Sequence, residues 1–283
     1  MAVLLAYLFY FVAASVNPLY RRWLSINRQI GPGGQIAFAF KVNIIASSLL
    51  LLLPFFQPFK IVGNPTHIML LAAACGLFGA LFFAFSFVSQ KHVEAGITSL
   101  ASNVYTPISV ALAWLLLGEG LAGNQILGTI LLLVALVIIS KKHRVGKFRF
   151  DKYFLMMILS GVFLGLTVTV ERVLQKTTGL TTTMVLSWWA QCLFLGLLTL
   201  IVKDKNIHTN KSVTIAGVLT FFHGLSWSLL VFTVGNLGVV SAVTTFKVVL
   251  IFVAAAIFLK EREDLPRKIV GSLIAVAGLL LMK

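Results

Sequence analysis

Long apolar runs alternate with short polar connections along the whole chain of 283 residues. A helix needs about 20 apolar residues to cross the hydrocarbon core of a bilayer. Runs of this length recur throughout, and many of the connections between them contain Gly or Pro. The pattern predicts a single all-α integral membrane domain, residues 1–283, with ten transmembrane helices near 2–20, 35–54, 66–88, 95–117, 122–140, 153–175, 182–202, 212–234, 238–259 and 267–282.

The composition excludes a soluble protein. The chain is 59% hydrophobic and 11% charged, whereas soluble domains contain about 25% charged residues. A soluble fold could not cover so much apolar surface, which excludes a cytosolic enzyme and a secreted binding module. Cys75 and Cys192 each stand alone inside an apolar run, so the sequence predicts neither a disulfide framework nor a thiolate metal site.

The basic residues lie between the apolar runs. The chain has 23 Lys and Arg against 8 Asp and Glu, a net charge of +15. Because these charges do not form a surface stripe, no nucleic-acid partner is expected. Seventeen of the basic residues fall in connections that follow odd-numbered spans, beginning with Arg21 and Arg22. The positive-inside rule therefore predicts cytoplasmic odd-numbered connections and non-cytoplasmic termini, and the short loops favour a bacterial inner membrane.

The second half of the chain repeats the first. A shift of 142 residues places residues 94–119 on residues 236–261. The matched positions include Gly96 on Gly238, Ser99 on Ser241 and Glu119 on Glu261. Each half, 1–141 and 152–283, contains five predicted spans. Because five is an odd number, the two repeats are expected to lie inverted in the membrane around a central cavity, as in secondary transporters.

The run AGITSLASNVYTPISVALAWLLLGE, residues 95–119, resembles the end of the repeat in the drug/metabolite transporter superfamily, EamA-type branch. In the second half Lys260-Glu261 replaces the Gly-Glu pair that closes this run. The resemblance implies a basket of helices around a central cavity, with segments 5 and 10 apart from it. Substrates in the superfamily range from amino acids and drugs to sugars, nucleotide-sugars and sugar phosphates, so the resemblance leaves the substrate open.

Three basic residues fall inside predicted spans: Lys41, Arg172 and Lys247. A basic residue at the bilayer centre costs about 2.5–3.5 kcal/mol on insertion scales. Lys247 lies roughly 13 Å or more from either end of its span, too deep to reach the interface, and is predicted to be the charged centre of a binding site. Lys41 and Arg172 either face the cavity or extend to the interface. Glu171 either neutralises a cavity lysine, carries a coupled proton or lies at the interface.

Further polar and aromatic residues are candidates for the cavity wall. By the repeat shift, Asn103 and Tyr105 fall on Thr245 and Lys247, which places polar groups at equivalent depths in the two halves. Segments 7 and 8 add Trp188 and Trp227, which either stack on a ring of the substrate or pack against neighbouring helices. They also add His223, which either relays protons or has a structural role. The predicted substrate-binding residues are Lys247, Lys41, Asn103, Tyr105, Glu171, Arg172, Trp188, Gln191, His223, Trp227 and Thr245.

The sequence has no Walker-type loop, no HExxH, no GxSxG and no Cys/His ligand spacing. It therefore predicts no catalytic residue, no cofactor and no metal. The leading hypothesis is a transporter that binds a small anion, such as an organic phosphate, nucleotide-sugar or carboxylate, beside Lys247. An exporter of amino acids or other neutral metabolites is the rival. A membrane-embedded enzyme or lipid-handling protein is a third possibility, with Glu119, Glu261 and Glu263 as its headgroup-level carboxylates.

Small residues recur every seven positions in segments 5 and 10: Gly128 and Ala135, and Gly271 and Gly278. Small side chains let helices approach closely. The spacing predicts a close helix contact in these segments, either within the fold or in a homodimer.

Overall fold

The computed structural model describes residues 2–27, 30–118, 122–140, 152–202, 209–244, 246–260 and 264–281. This part of the chain is all α-helical and contains no strand, as the apolar pattern predicts. Its helices, apart from one turn of 3-10 helix at Leu53–Phe55, are α1 Ala2–Asn27, α2 Pro32–Leu50, α3 Pro65–Ser89, α4 Ala95–Ser102, α5 Tyr105–Leu117, α6 Gly123–Ser140, α7 Lys152–Ile201, α8 Asn210–Val234, α9 Leu237–Thr244, α10 Lys247–Phe258 and α11 Leu265–Leu281.

Within the described ranges, five helical segments are long and apolar enough to cross a membrane by length and composition: Pro32–Phe55, Pro65–Ser89, Ala95–Leu117, Lys152–Ile201 and Asn210–Val234. Large apolar side chains cover the outside of the described helices, with Phe56 86% exposed and Leu200 80% exposed. Such a surface suits lipid rather than water. The total of ten crossings remains a prediction.

Helix α1 is longer than the first predicted span. The apolar run ends near residue 20, but α1 continues to Asn27 and includes Arg21 and Arg22. The assignment of these two arginines to a connection is therefore wrong. Both are buried, at 5% and 8% exposure, because Ser86 at the end of α3 and Gln90 just after it provide partners for their guanidinium groups.

Helix α7 contains a break at Gly179, where φ is 81° and ψ is 177°. Its 50 residues would extend about 75 Å as one straight helix, more than twice the thickness of a bilayer core. The break separates residues 152–178 from residues 180–201, which correspond to the sixth and seventh predicted spans. Glycine is favoured at such a position because other residues rarely adopt this backbone conformation.

Two segments are interrupted at equivalent positions. Helices α4 and α5 are separated by Asn103 and Val104, while α9 ends at Thr244 and α10 begins at Lys247. These interruptions are 142 residues apart, the same shift that relates the two halves of the sequence. In the first segment Pro107 lies in the first turn of α5, where it lacks the N–H that would bond Asn103. In the second segment Val249 occupies the matching position, so proline is not what both interruptions share.

The main packing partners differ from helix to helix. Helix α1 packs chiefly against α8 and α10, whereas α3 packs along α7 and α2 packs against α7 and α8. Helices α6 and α11 pack against each other, and the small residues Gly128, Ala135, Gly271 and Gly278 are buried. The contact between α6 and α11 thus lies within one chain, and the homodimer remains a prediction.

We expect Gly179→Ala to lower the free energy of unfolding by about 1–3 kcal/mol, because alanine is strained at this backbone conformation. No atom lies within 4 Å of a β-carbon built on Gly179, so the loss would measure backbone strain alone. Gly123→Ala is the matched control, since Gly123 begins α6 and its β-carbon also meets open space. Thermal unfolding in detergent would measure both. Equal midpoints for the two variants would contradict the expectation.

Candidate functional site

A cavity of about 130 Å³ lies between α1, α3, α5, α7, α8 and the first residue of α10. A single water needs about 10–15 Å³, so the cavity has room for a small molecule. Its wall is formed by Tyr10, Asn17, Arg21, Phe82, Phe83, Tyr105, Leu164, Thr167, Val168, Glu171, Trp188, Gln191, Thr220, His223, Gly224, Trp227, Ser228 and Lys247. Seven of the predicted binding residues are among them: Tyr105, Glu171, Trp188, Gln191, His223, Trp227 and Lys247.

Lys247 begins α10 and is half-buried in the wall of the cavity. Its Nζ donates a hydrogen bond to the Tyr10 hydroxyl, with 2.9 Å between the two atoms. The same nitrogen lies 5.6 Å from the centroid of the Tyr10 ring and 5.5 Å from that of the Tyr105 ring. Aromatic rings at this distance attract a cation. The ammonium is therefore held inside the helical bundle while it remains available to the cavity.

The aromatic residues around Lys247 contact one another. The Trp227 ring centroid lies 5.8 Å from those of both Tyr10 and Tyr105. Trp188 packs closely on α8, since a β-carbon added to Gly224 would lie 2.1 Å from its Cζ2 atom. Glycine at position 224 thus gives this indole its place in the wall.

Helix α1 contributes a polar face that the sequence analysis missed. Tyr10, Asn17 and Arg21 all line the cavity. They follow the spacing i, i+7 and i+11, which places them on one side of a helix. The Asn17 Nδ2 lies 3.3 Å from His223 Nδ1, and the Thr220 hydroxyl donates to Asn17 Oδ1 at 3.4 Å. This spacing in an otherwise apolar helix is the signal that could have identified the three residues.

Arg21 and Arg22 connect α1 to the end of α3. Arg21 donates to Gln90 Oε1 at 3.1 Å and to the Ser86 hydroxyl at 3.2 Å, and its guanidinium carbon lies 3.7 Å from the centroid of the Phe87 ring. Arg22 donates to the backbone oxygen of Gln90. We call Arg21, Arg22, Ser86, Phe87 and Gln90 the α1–α3 cluster. It links two helices that pack mainly against other partners.

Glu171 is the acidic residue of the wall among the described residues. Its Oε1 accepts a hydrogen bond of 2.7 Å from the Ser228 hydroxyl. No Lys or Arg of the described ranges forms an ion pair with it. Gln191 donates to Asn43 Oδ1, which ties the wall to α2.

Four predicted binding residues lie elsewhere. Lys41 is exposed on α2 and is not part of the cavity wall. Arg172 is buried and donates to Gln175 Oε1 and to the backbone oxygens of Val231 and Gly235. Asn103 is fully buried beside the interruption between α4 and α5, away from the wall. Thr245 lies outside the described residues, and so do Glu119, Glu261 and Glu263.

Comparison with known proteins identifies related sequences and folds. The model of the EamA-like transporter family matches the chain twice, over residues 1–141 and 151–283. Among 24 matching chains of solved structures is a crystal structure of a protein that aligns over 99% of this chain and 96% of its own, with a TM-score of 0.69. At 15% identity this likeness shows a shared fold. No curated protein sequence matches.

The contacts of Arg172 with the end of α8 predict a structural role. We expect Arg172→Leu to lower the free energy of unfolding by about 2–3 kcal/mol, because it removes charge-assisted hydrogen bonds to the Gln175 side chain and the last carbonyls of α8. Thermal unfolding in detergent would measure the change. Arg172→Lys keeps the charge and should lose less. A midpoint unchanged in Arg172→Leu would show that these contacts do not stabilise the fold.

Proposed function

The chain belongs to the EamA-like transporter family, and on that premise we propose that it is a secondary transporter that binds a small anionic metabolite beside Lys247 and moves it by alternating access. Lys247 is the observation that carries the proposal. It combines a charged donor, a half-buried position and a place in the cavity wall.

The charge of the wall favours an anion. Of the described residues that line the cavity, Lys247 and Arg21 are basic and Glu171 is acidic. Ammonium and guanidinium groups form strong hydrogen bonds with carboxylates and phosphates, especially where water is excluded. The preferred substrate classes are therefore organic phosphates, nucleotide-sugars and carboxylates.

The interrupted segments support a transporter built from inverted repeats in ten crossings. Tyr105 begins α5 and Lys247 begins α10, and both residues line the cavity. Interrupted helices whose N-terminal ends face a central site are a recurrent feature of secondary transporters, because their partial positive charge attracts anions. The double match of the family model is also what two repeats would produce.

Alternating access requires that the cavity closes toward one side at a time, and the α1–α3 cluster is the proposed closure at one end. Arg21 lines the cavity and at the same time bonds Ser86 and Gln90 across the space between α1 and α3. In the orientation proposed here, both termini lie outside the cell in a bacterial inner membrane. The end of the cavity beside the α1–α3 cluster then faces the cytoplasm. Separation of the α1 residues of the cluster from its α3 residues would open the cavity at this end.

A zwitterionic substrate such as an amino acid is a second candidate. It is favoured by Glu171, whose carboxylate lines the same cavity as the Lys247 ammonium. Two opposite charges in one cavity match the carboxylate and ammonium groups of an amino acid.

We expect Lys247→Met to weaken substrate binding by about tenfold or more, because methionine has similar length but no positive charge. A thermal-shift screen of the purified protein against phosphates, nucleotide-sugars, carboxylates and amino acids would identify the substrate. Counterflow of that substrate in proteoliposomes would then measure transport. Lys41→Met is the matched control, because it removes the same charge from an exposed position on α2.

Full transport and unchanged affinity in a folded Lys247→Met variant would refute the anion site. Glu171→Gln separates the two substrate classes, since it should weaken binding of an amino acid and leave or strengthen binding of an anion. Turnover of a compound without accumulation of label would instead indicate an enzyme.

We expect Gln90→Met to increase access to the cavity from the cytoplasmic side, because it removes one acceptor that holds Arg21. A cysteine introduced by Thr220→Cys, in a chain with Cys75→Ser and Cys192→Ser, would report this through its rate of alkylation in inverted vesicles and in intact cells. Gln57→Met is the control, since Gln57 lies near the 3-10 turn and accepts from Thr181 instead. Equal alkylation rates in the Gln90 and Gln57 variants would argue against the closure.

A further inference from the structure

Asn17 and Thr220 form a short relay to the ring of His223. The Thr220 hydroxyl donates to Asn17 Oδ1 at 3.4 Å, and Asn17 Nδ2 lies 3.3 Å from His223 Nδ1. All three side chains line the cavity. Asn17 is 1% exposed and Thr220 is 3% exposed, so water does not compete for these bonds from outside the bundle.

The direction of this relay determines which ring nitrogen of His223 carries the proton. An amide nitrogen only donates, so the Asn17 Nδ2 requires an unprotonated Nδ1 as its acceptor. A neutral imidazole then carries its proton on Nε2. In the described part of the chain Nε2 has no hydrogen-bond partner. The ring therefore offers an N–H donor to the cavity.

Tyr10 contacts both His223 and Lys247. The Tyr10 hydroxyl accepts from Lys247 Nζ at 2.9 Å, and the centroids of the Tyr10 and His223 rings are 5.7 Å apart. A charged donor and a neutral donor thus lie close together in one wall. Two neighbouring donors suit the two oxygens of a carboxylate or a phosphate.

We infer that the His223 Nε2–H is a specificity-determining donor that binds the substrate oxyanion together with Lys247, and that Asn17 is a positioning residue that fixes this tautomer. The inference rests on the proposed anion transport for its ligand. The tautomer itself is a property of the protein without any ligand, so the two can be tested separately.

Nitrogen NMR of protein labelled with ¹⁵N-histidine tests the tautomer directly. The chain has five histidines, and the signals lost in His223→Gln would assign His223. We expect a protonated Nε2 and an unprotonated Nδ1 in the parent protein at neutral pH, and a mixture of tautomers in Asn17→Ala. A protonated Nδ1 in the parent protein would overturn the inference whatever the protein transports.

Binding of inorganic phosphate and of succinate, measured by isothermal titration, tests the role of the donor. We expect His223→Leu to weaken the affinity for the anion that binds by about tenfold or more, and Asn17→Ala to weaken it by about three- to tenfold. His223→Gln keeps an N–H near the position of Nε2 and should stay within about threefold of the parent. Far-UV circular dichroism would verify that each variant is folded.

A double-mutant cycle separates positioning from direct contact. Because glutamine does not need the relay, Asn17→Ala should have no further effect on affinity in the His223→Gln background. An equal loss in both backgrounds would show that Asn17 acts on its own and would overturn its positioning role. Thr220→Val, which removes only the first donor, should change the affinity in the same direction as Asn17→Ala.

The two probes also separate failure of the inference from failure of the proposed function. If neither phosphate nor succinate binds to the parent protein, the oxyanion site fails, and with it the anionic substrate class. If one of them binds and His223→Leu leaves its affinity unchanged, anion binding stands and the role of His223 is refuted.

Discussion

A cation inside an apolar helical bundle needs a polar partner, and much of this structure follows from that requirement. Burial of an unpaired charge is expensive, so each intramembrane cation brings together the elements that supply its partners. Lys247 meets the requirement with the hydroxyl and ring of Tyr10 and the ring of Tyr105. Arg21 meets it with the side chains of Ser86 and Gln90 at the end of α3, and Arg172 with carbonyl groups at the end of α8. The three contacts tie α10 to α1, α1 to α3 and α7 to α8.

These contacts differ in how many N–H donors of the cation they leave without a protein partner. The guanidinium of Arg172 is directed at backbone carbonyls and lies away from the cavity wall, so its charge stabilises the fold. The ammonium of Lys247 has a single hydroxyl partner and two ring faces, which leaves its remaining protons for a ligand. Arg21 lies between these two cases, because it lines the cavity and is also bonded to α3. Burial alone therefore does not separate the proposed binding residue from a structural one, whereas the number and kind of partners does.

The sequence predicted the helical fold well, and the site in part. Apolar run length is a local property, so it located the helices and the glycine-rich or proline-containing connections between them. Depth within a span predicted a buried Lys247 and left Lys41 open between the cavity and the interface; the structure places Lys247 in the cavity wall and Lys41 on the exposed side of α2. Depth could not predict the direction of a side chain around its helix, and for that reason it did not exclude Arg172 from the wall. Asn17 and Arg21 were missed because their role depends on partners more than 60 residues away in the chain, namely His223 and Gln90.

The polar face of α1 has a mechanical consequence. Tyr10, Asn17 and Arg21 lie within about 40° of one another around the helix axis, at about 100° per residue. They touch Lys247, His223 and Gln90, respectively. A rotation of α1 by a third of a turn would withdraw all three from the cavity together, whereas independent loops could move one at a time. The three contacts are thus mechanically coupled, because a single helix carries all of them.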